Sequence, residues 1–201
     1  MSVTVFLVTS SSGLGKTAII RHIALKFKQE GFEIINVPIE SPEYIVKYKT
    51  NKKQIFLIDD VLGKYDLSPT LLEKWERINE KLISCMETEL NSNKILCSLR
   101  LQIARNKRFK NASTILNKEV IDLEHEFYAP SKEEKQEMLM NHLRTNDLEK
   151  EIKIREIEIM CETNYAFPLL CKLVSNDEEI FKKKSNSLSN HYHCLGRNLI
   201  Q

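Results

Sequence analysis

The segment Thr9-Ser10-Ser11-Ser12-Gly13-Leu14-Gly15-Lys16-Thr17 has the residue types needed to hold a polyphosphate. Two glycines let a backbone pass close to an anion and turn its N–H groups onto it, and a helix N-terminus adds further donors and a favourable dipole. A lysine at the end of such a loop reaches the β and γ phosphates, and the hydroxyl beside it ligates magnesium. Ser12, Gly13, Leu14, Gly15, Lys16, Thr17 and Ala18 are therefore the candidate nucleotide-binding residues, with Lys16 also a candidate for catalysis and Thr17 for the metal. Only five glycines occur in the 201 residues, and two of them stand here, just ahead of the lysine. The arrangement is that of a Walker A loop with Ser10 in place of the first glycine, a change expected to alter the first turn of the loop. The same glycine turn can join a strand to a helix and bind nothing, so its flanks matter.

Those flanks fit. Val3–Val8 is a continuous apolar, β-branched run, as in a strand covered on both faces of a parallel sheet. Ile20, Ile23, Ala24 and Phe27 then follow a helical spacing, with Gly31 as its C′ stop.

Two acidic residues come next. Asp59 and Asp60 close the apolar run Ile55-Phe56-Leu57-Ile58, which is the Walker B pattern. Asp59 is placed to hold magnesium directly or through water, and Asp60 to orient or deprotonate an attacking water. An ordinary surface turn is the alternative for such a pair. Arg100 follows the strand Lys94–Ser98, where it either senses the γ-phosphate or is simply solvated. Arg105, Lys107 and Arg108 read as a solvated helix face.

The intervening pattern supplies Phe32–Ile39 as a second strand, a short helix through Tyr44, Ile45 and Tyr48, and Gln54–Ile58 as a third strand. A long helix opens at Ser68-Pro69, with Leu71, Trp75, Ile78, Leu82 and Cys85 on one stripe. Glu119–Leu123 is a weaker fifth strand. Beyond it the chain is helical: a capping box at Ser131–Glu134, a second helix from about Leu148 to Cys161, and a third near Phe167. The expected organisation is an α/β/α P-loop core with a parallel sheet over residues 1–128, a helical subdomain over 129–175 and a poorly ordered tail over 176–201.

At this length a domain buries roughly 70% of its unfolded surface without metal or disulfide support. A formal charge of +2 gives no general electrostatic case for nucleic acid or an anionic membrane. No run of about 18 apolar residues suggests a membrane span, and a cytoplasmic protein is expected. The five cysteines include no C-x-x-C pair and read as reduced. His191, His193 and Cys194 are not expected to bind metal.

Gly13-Leu14-Gly15-Lys16-Thr17, Lys52–Asp60, Arg100, Ile19–Leu25 and Thr163–Leu170 together resemble the STAND class of P-loop NTPases, and more narrowly the novel STAND NTPase 3 family. The resemblance covers about residues 3–174. It implies a bound magnesium nucleotide, usually ATP, with GTP as the other choice. It further implies a nucleotide contact at Pro168 and a conformational signalling switch that controls self-association through the NTPase domain. The N-terminal effector domain and the C-terminal winged-helix and repeat regions usual in the class are not expected around this chain, which reads as a fragment or minimal relative. The expected activity is magnesium-dependent binding and slow hydrolysis of a nucleoside triphosphate. Two rivals compete: a small-molecule P-loop kinase, for which Thr145-Asn146-Asp147 offers little acceptor chemistry, and a truncated, non-catalytic module that binds nucleotide or a partner protein.

Overall fold

The computed structural model describes residues 5–86, 93–163 and 166–183. It divides into two compact units: residues 1–11 with 16–124, and residues 12–15 with 125–201.

In the first unit the apolar runs form β1 (Val5–Ser10), β2 (Glu33–Asn36), β3 (Gln54–Ile58), β4 (Lys94–Arg100) and β5 (Val120–Asp122), a five-stranded sheet in the order β2-β3-β4-β1-β5. Every pairing is parallel. Parallel strands need crossovers, and the crossovers cover both faces. On one face α1 (Lys16–Gln29) sets Ile20 and Ala24 against Val8, Ile55 and Leu96. On the other, α2 (Tyr44–Lys47), α3 (Pro69–Met86), α4 (Leu101–Ala104) and α5 (Lys107–Asn111) enclose Leu7, Phe56, Ile58, Ile95 and Cys97. Successive strand residues thus divide between two cores, as the period-2 pleat requires.

Helix ends follow the local chemistry. Gly31 lies at φ 87°, with its N–H on Lys28 O and that of Phe32 on Phe27 O, which closes α1 in a Schellman motif. In α3 the buried stripe is Leu72, Trp75, Ile78 and Leu82, with Leu71 at its margin; the Cys85 side chain lies outside the described ones.

Some boundaries move. Strand β2 stops at Asn36, because Pro38 has no N–H to continue the ladder. Strand β4 runs two residues further than its apolar run and takes Arg100 into the sheet. In β5 the interrupting Asp122 is tolerated at the strand end, where its Oδ1 accepts the Glu124 N–H at 3.0 Å.

The second unit contains α6 (Lys132–Thr145), α7 (Ile154–Cys161), α8 (Phe167–Asn176) and α9 (Glu178–Lys183). Leu139, Leu143, Met160, Phe167, Cys171 and Val174 are at its centre. The capping box of α6 is formed: Glu134 N–H donates to Ser131 Oγ at 3.2 Å and Ser131 N–H to Glu134 Oε2 at 2.8 Å. Helix α7 starts later than the periodicity from Leu148 implies. Asp147 turns left-handed at φ 57°, and Leu148 N–H caps Leu143 O, so α6 ends in its own Schellman motif. A turn follows, and Glu156 then accepts the Lys153 N–H at 2.8 Å to open α7.

The tail expectation is corrected at 178–183. Asp177 Oδ1 accepts the N–H groups of Glu179 and Ile180, and α9 buries Phe181 to 2% exposure in the helical core. Ile180 and Phe181 pack on the helical core despite the polar surroundings that dominate the composition. The remaining tail, with His191, His193 and Cys194, lies outside the described residues. Cys97, Cys161 and Cys171 are free thiols. Among the described residues, no helix is long and apolar enough to cross a membrane.

Because Leu82 is fully buried against the sheet, Leu82→Ala should lower unfolding free energy by about 2–5 kcal/mol. Urea unfolding followed by the fluorescence of the sole tryptophan, the buried Trp75, checks this.

Candidate functional site

Strand order decides which residues meet. Strand β4 lies between β1 and β3, and Ser10 pairs in register with Arg100 while Ile58 pairs with Cys97. Lys16, Asp59-Asp60 and Arg100 therefore leave the carboxyl ends of three adjacent strands, where open α/β sheets bind ligands.

Lys16 opens α1 and is only 8% exposed. Its ammonium donates to Ser10 O and Ser11 O, both at 3.0 Å, and weakly to Ser10 Oγ at 3.4 Å. Burial lowers its pKa; Asp60 opposes that fall, Arg100 adds to it, and Asp59 and Glu124 oppose it. Ser10 needs no left-handed backbone, since it is the last residue of β1 and fully buried. The expected disturbance at the missing first glycine does not occur there.

Thr17 Oγ1 donates to Asp59 at 2.8 Å (Oδ2) and 3.1 Å (Oδ1). Asp59 Oδ1 also accepts a short hydrogen bond from the Ser98 hydroxyl. Asp60 is left-handed at φ 50°, a region an L-residue enters at a cost that Asp tolerates better than most. Its carboxylate is 4.0 Å from Arg100 Nε. Burial and the neighbouring Asp59 push the Asp60 pKa up, against Arg100, Lys16 and Lys64. The Arg100 guanidinium also lies 5.3 Å from the centre of the Tyr65 ring. Lys16, Thr17, Asp59, Asp60 and Arg100 are thus gathered in one unit.

The loop tip, Ser12–Gly15, groups with the second unit. Gly13 and Gly15 have φ of 87° and 85°, where a side chain is strained. A Cβ on Gly13 would stand 3.1 Å from Ala166 Cβ and from Leu169 Cδ2, a crowded position that favours glycine. Pro168 is nearest to Gly15, its Cγ 3.9 Å from where a Cβ would be. Ala18 is in the first turn of α1, and Leu14 is part of the tip.

Sequence reasoning missed two residues. Glu124 Oε1 accepts the Ser11 N–H at 2.7 Å, a contact across 113 positions that no local pattern could reveal. Ser98 joins Asp59 to Asp60; the one available signal was a polar residue in an otherwise apolar strand. Arg108 is on an exposed helix and pairs with Glu73 at 2.9 Å, in keeping with a solvated face.

Magnesium prefers oxygen ligands, keeps several waters and takes one or two carboxylates with substrate phosphates. The Thr17 hydroxyl and Asp59 carboxylate suit that demand. Among the described residues, no group of three or more His, Cys, Asp or Glu side chains forms a protein-only cage.

The family model described as Novel STAND NTPase 3 matches residues 2–145. No curated protein matches the chain. Among solved structures, the FIGL-1 AAA domain in complex with ADP is similar at a TM-score of 0.55 and 15% identity, over 99% of this chain and 72% of that one. NtrX from Brucella abortus in complex with ADP is similar at 0.54 and 12% identity, over 94% of this chain and 48% of that one. At such identities the likeness is one of fold.

The raised pKa of Asp60 means that folding favours its protonated form. That contribution is full below the unfolded aspartate pKa and is lost as pH rises through the higher folded value. Asp60→Asn should therefore raise the thermal midpoint at pH 7, with the gain shrinking as pH falls toward 4. Thermal melts of both proteins across that range test the sign.

Proposed function

The chain belongs to the novel STAND NTPase 3 family and carries a P-loop NTPase-like nucleotide-binding domain, and from that premise we propose that it binds a magnesium nucleoside triphosphate and hydrolyses it slowly. One observation carries the reading: a buried lysine at the end of a glycine loop stands beside a hydroxyl–carboxylate pair, Thr17 and Asp59, at the ends of adjacent parallel strands.

Lys16 satisfies its ammonium on loop carbonyls. Phosphate oxygens are stronger acceptors for a charged donor, so a β or γ phosphate replaces those contacts. Backbone N–H groups of Ser12–Ala18 hold the remaining oxygens. Thr17 and Asp59 hold the metal, which when bound neutralises charge on the transferring phosphoryl group. Asp60 orients the attacking water or takes its proton, a role that a raised pKa favours. Arg100, 4.0 Å from Asp60, meets the γ-phosphate in this reading.

Pro168 stands by Gly15 within the second unit, and we assign it the nucleotide contact made by the family's proline. ATP is favoured over GTP by the family resemblance, and the adenine nucleotides of the two structural neighbours support the same choice. Residues 1–128 form the catalytic core in this reading and 129–175 the helical subdomain. The whole acts as a cytoplasmic signalling switch that controls self-association; these roles rest on the family.

Binding of a fluorescent ATP analogue with magnesium tests the proposal. Lys16→Ala should weaken it by about 30-fold to several thousand-fold, the equivalent of roughly 2–5 kcal/mol. Asp60→Asn should keep binding and reduce phosphate release by about 100-fold or more. A wild type that binds neither ATP nor GTP overturns the reading, and a phosphorylated acceptor in a nucleoside panel would replace it with a kinase.

A further inference from the structure

Ser98 is fully buried on β4, between the strand that leads into the glycine loop and the strand that Asp59 follows. A serine there must satisfy its hydroxyl, a demand that an apolar residue of similar size would not make. Its hydroxyl instead serves two partners. It donates to Asp59 Oδ1 and accepts the Asp60 N–H at 2.8 Å. The Ser98 carbonyl accepts the next N–H, that of Val61, at 2.9 Å. Two consecutive donors of the turn are therefore held by one residue, on either side of the left-handed Asp60 at φ 50°. Beyond them Gly63 N–H closes on Asp60 O at 2.9 Å.

The consequence is directional. With Oδ1 engaged by Ser98, the Asp59 carboxylate cannot swing freely, and Oδ2 faces the Thr17 hydroxyl at 2.8 Å. The same hydroxyl fixes the peptide that aims the Asp60 side chain toward Arg100. We propose that Ser98 is the positioning residue of the magnesium site, setting the aim of Asp59 and the turn of Asp60 through one hydroxyl. The inference rests on the nucleotide-binding reading above.

Groups that orient a metal-binding carboxylate from behind alter metal affinity by about 10- to 100-fold when removed. Direct contacts between the glycine loop and the phosphates do not involve Ser98. Loss of the hydroxyl should then leave nucleotide affinity in EDTA within about twofold of wild type and cut the gain in affinity produced by magnesium by about tenfold or more. A merely structural role would weaken both conditions together.

The experiment is a titration of a fluorescent ATP analogue into wild type, Ser98→Ala and Ser98→Cys, each in EDTA and across a magnesium series. Ser98→Cys keeps the volume but donates poorly, so it carries the test if Ser98→Ala does not fold. Selective loss of the magnesium gain in either folded variant supports the proposal. An unchanged gain, or an equal loss with and without metal, overturns it and leaves the nucleotide reading standing. A wild type that gains nothing from magnesium overturns both.

Discussion

A lysine ammonium taken out of water must be given oxygen atoms, and the first unit is organised around meeting that need at Lys16. Desolvating an unpaired ammonium would cost several kcal/mol. Here the cost is offset by two loop carbonyls at 3.0 Å and by the acidic groups beyond them. Those carbonyls belong to Ser10 and Ser11, at the end of β1 and just after it. The sheet supplies the rest: only with β4 inserted between β1 and β3 do a strand-end arginine, two aspartates and the loop come to one edge.

The carboxylates oppose each other as much as they serve the lysine. Asp59 is engaged by two hydroxyls, from Thr17 and Ser98, and its neighbour Asp60 is raised in pKa by burial and by Asp59 itself. The pair is thus split into a carboxylate engaged by two hydroxyls and one whose pKa is raised. That division matches the two tasks assigned to them, one on a cation and one on a water. Arg100 moderates the difference from 4.0 Å and is itself steadied by the Tyr65 ring. Charges of both signs compete at this edge, so a bound triphosphate, with several negative charges, would rearrange the balance more than any single substitution.

What could be read in advance was what depends on neighbours along the chain. Apolar runs gave β1 and β3, the Ser131–Glu134 spacing gave the start of α6, and Gly31 gave the end of α1, since each is set by residues within one or two turns. That Lys16, Thr17 and Asp59 would come together was legible because their short motifs sit at the ends of recognisable strands. Contacts across the sheet were not: Ser98 and Glu124 acquire their roles only from partners 39 and 113 positions away. Helix α9 was obscured for a different reason. Composition averaged Ile180 and Phe181 with their polar neighbours, whereas burial depends on where those two side chains stand, and they stand in a core. The late start of α7 likewise reflects a backbone reversal at Asp147, which apolar periodicity cannot register.

Ser10 shows how a departure from a motif can be absorbed. Glycine is favoured where φ is far into the positive region and where a Cβ would be crowded, and both conditions hold at Gly13. Neither explains the first position of the loop here, because Ser10 is still in β1, paired in register with Arg100. Its side chain instead donates to Ser11 O at 2.9 Å and offers Lys16 a third oxygen at 3.4 Å. A serine at that point adds an oxygen to the lysine's surroundings from the end of the strand. The two left-handed glycines are at the tip of the loop, the oxygen atoms that surround Lys16 are on its stem, and the residue that departs from the motif belongs to the stem.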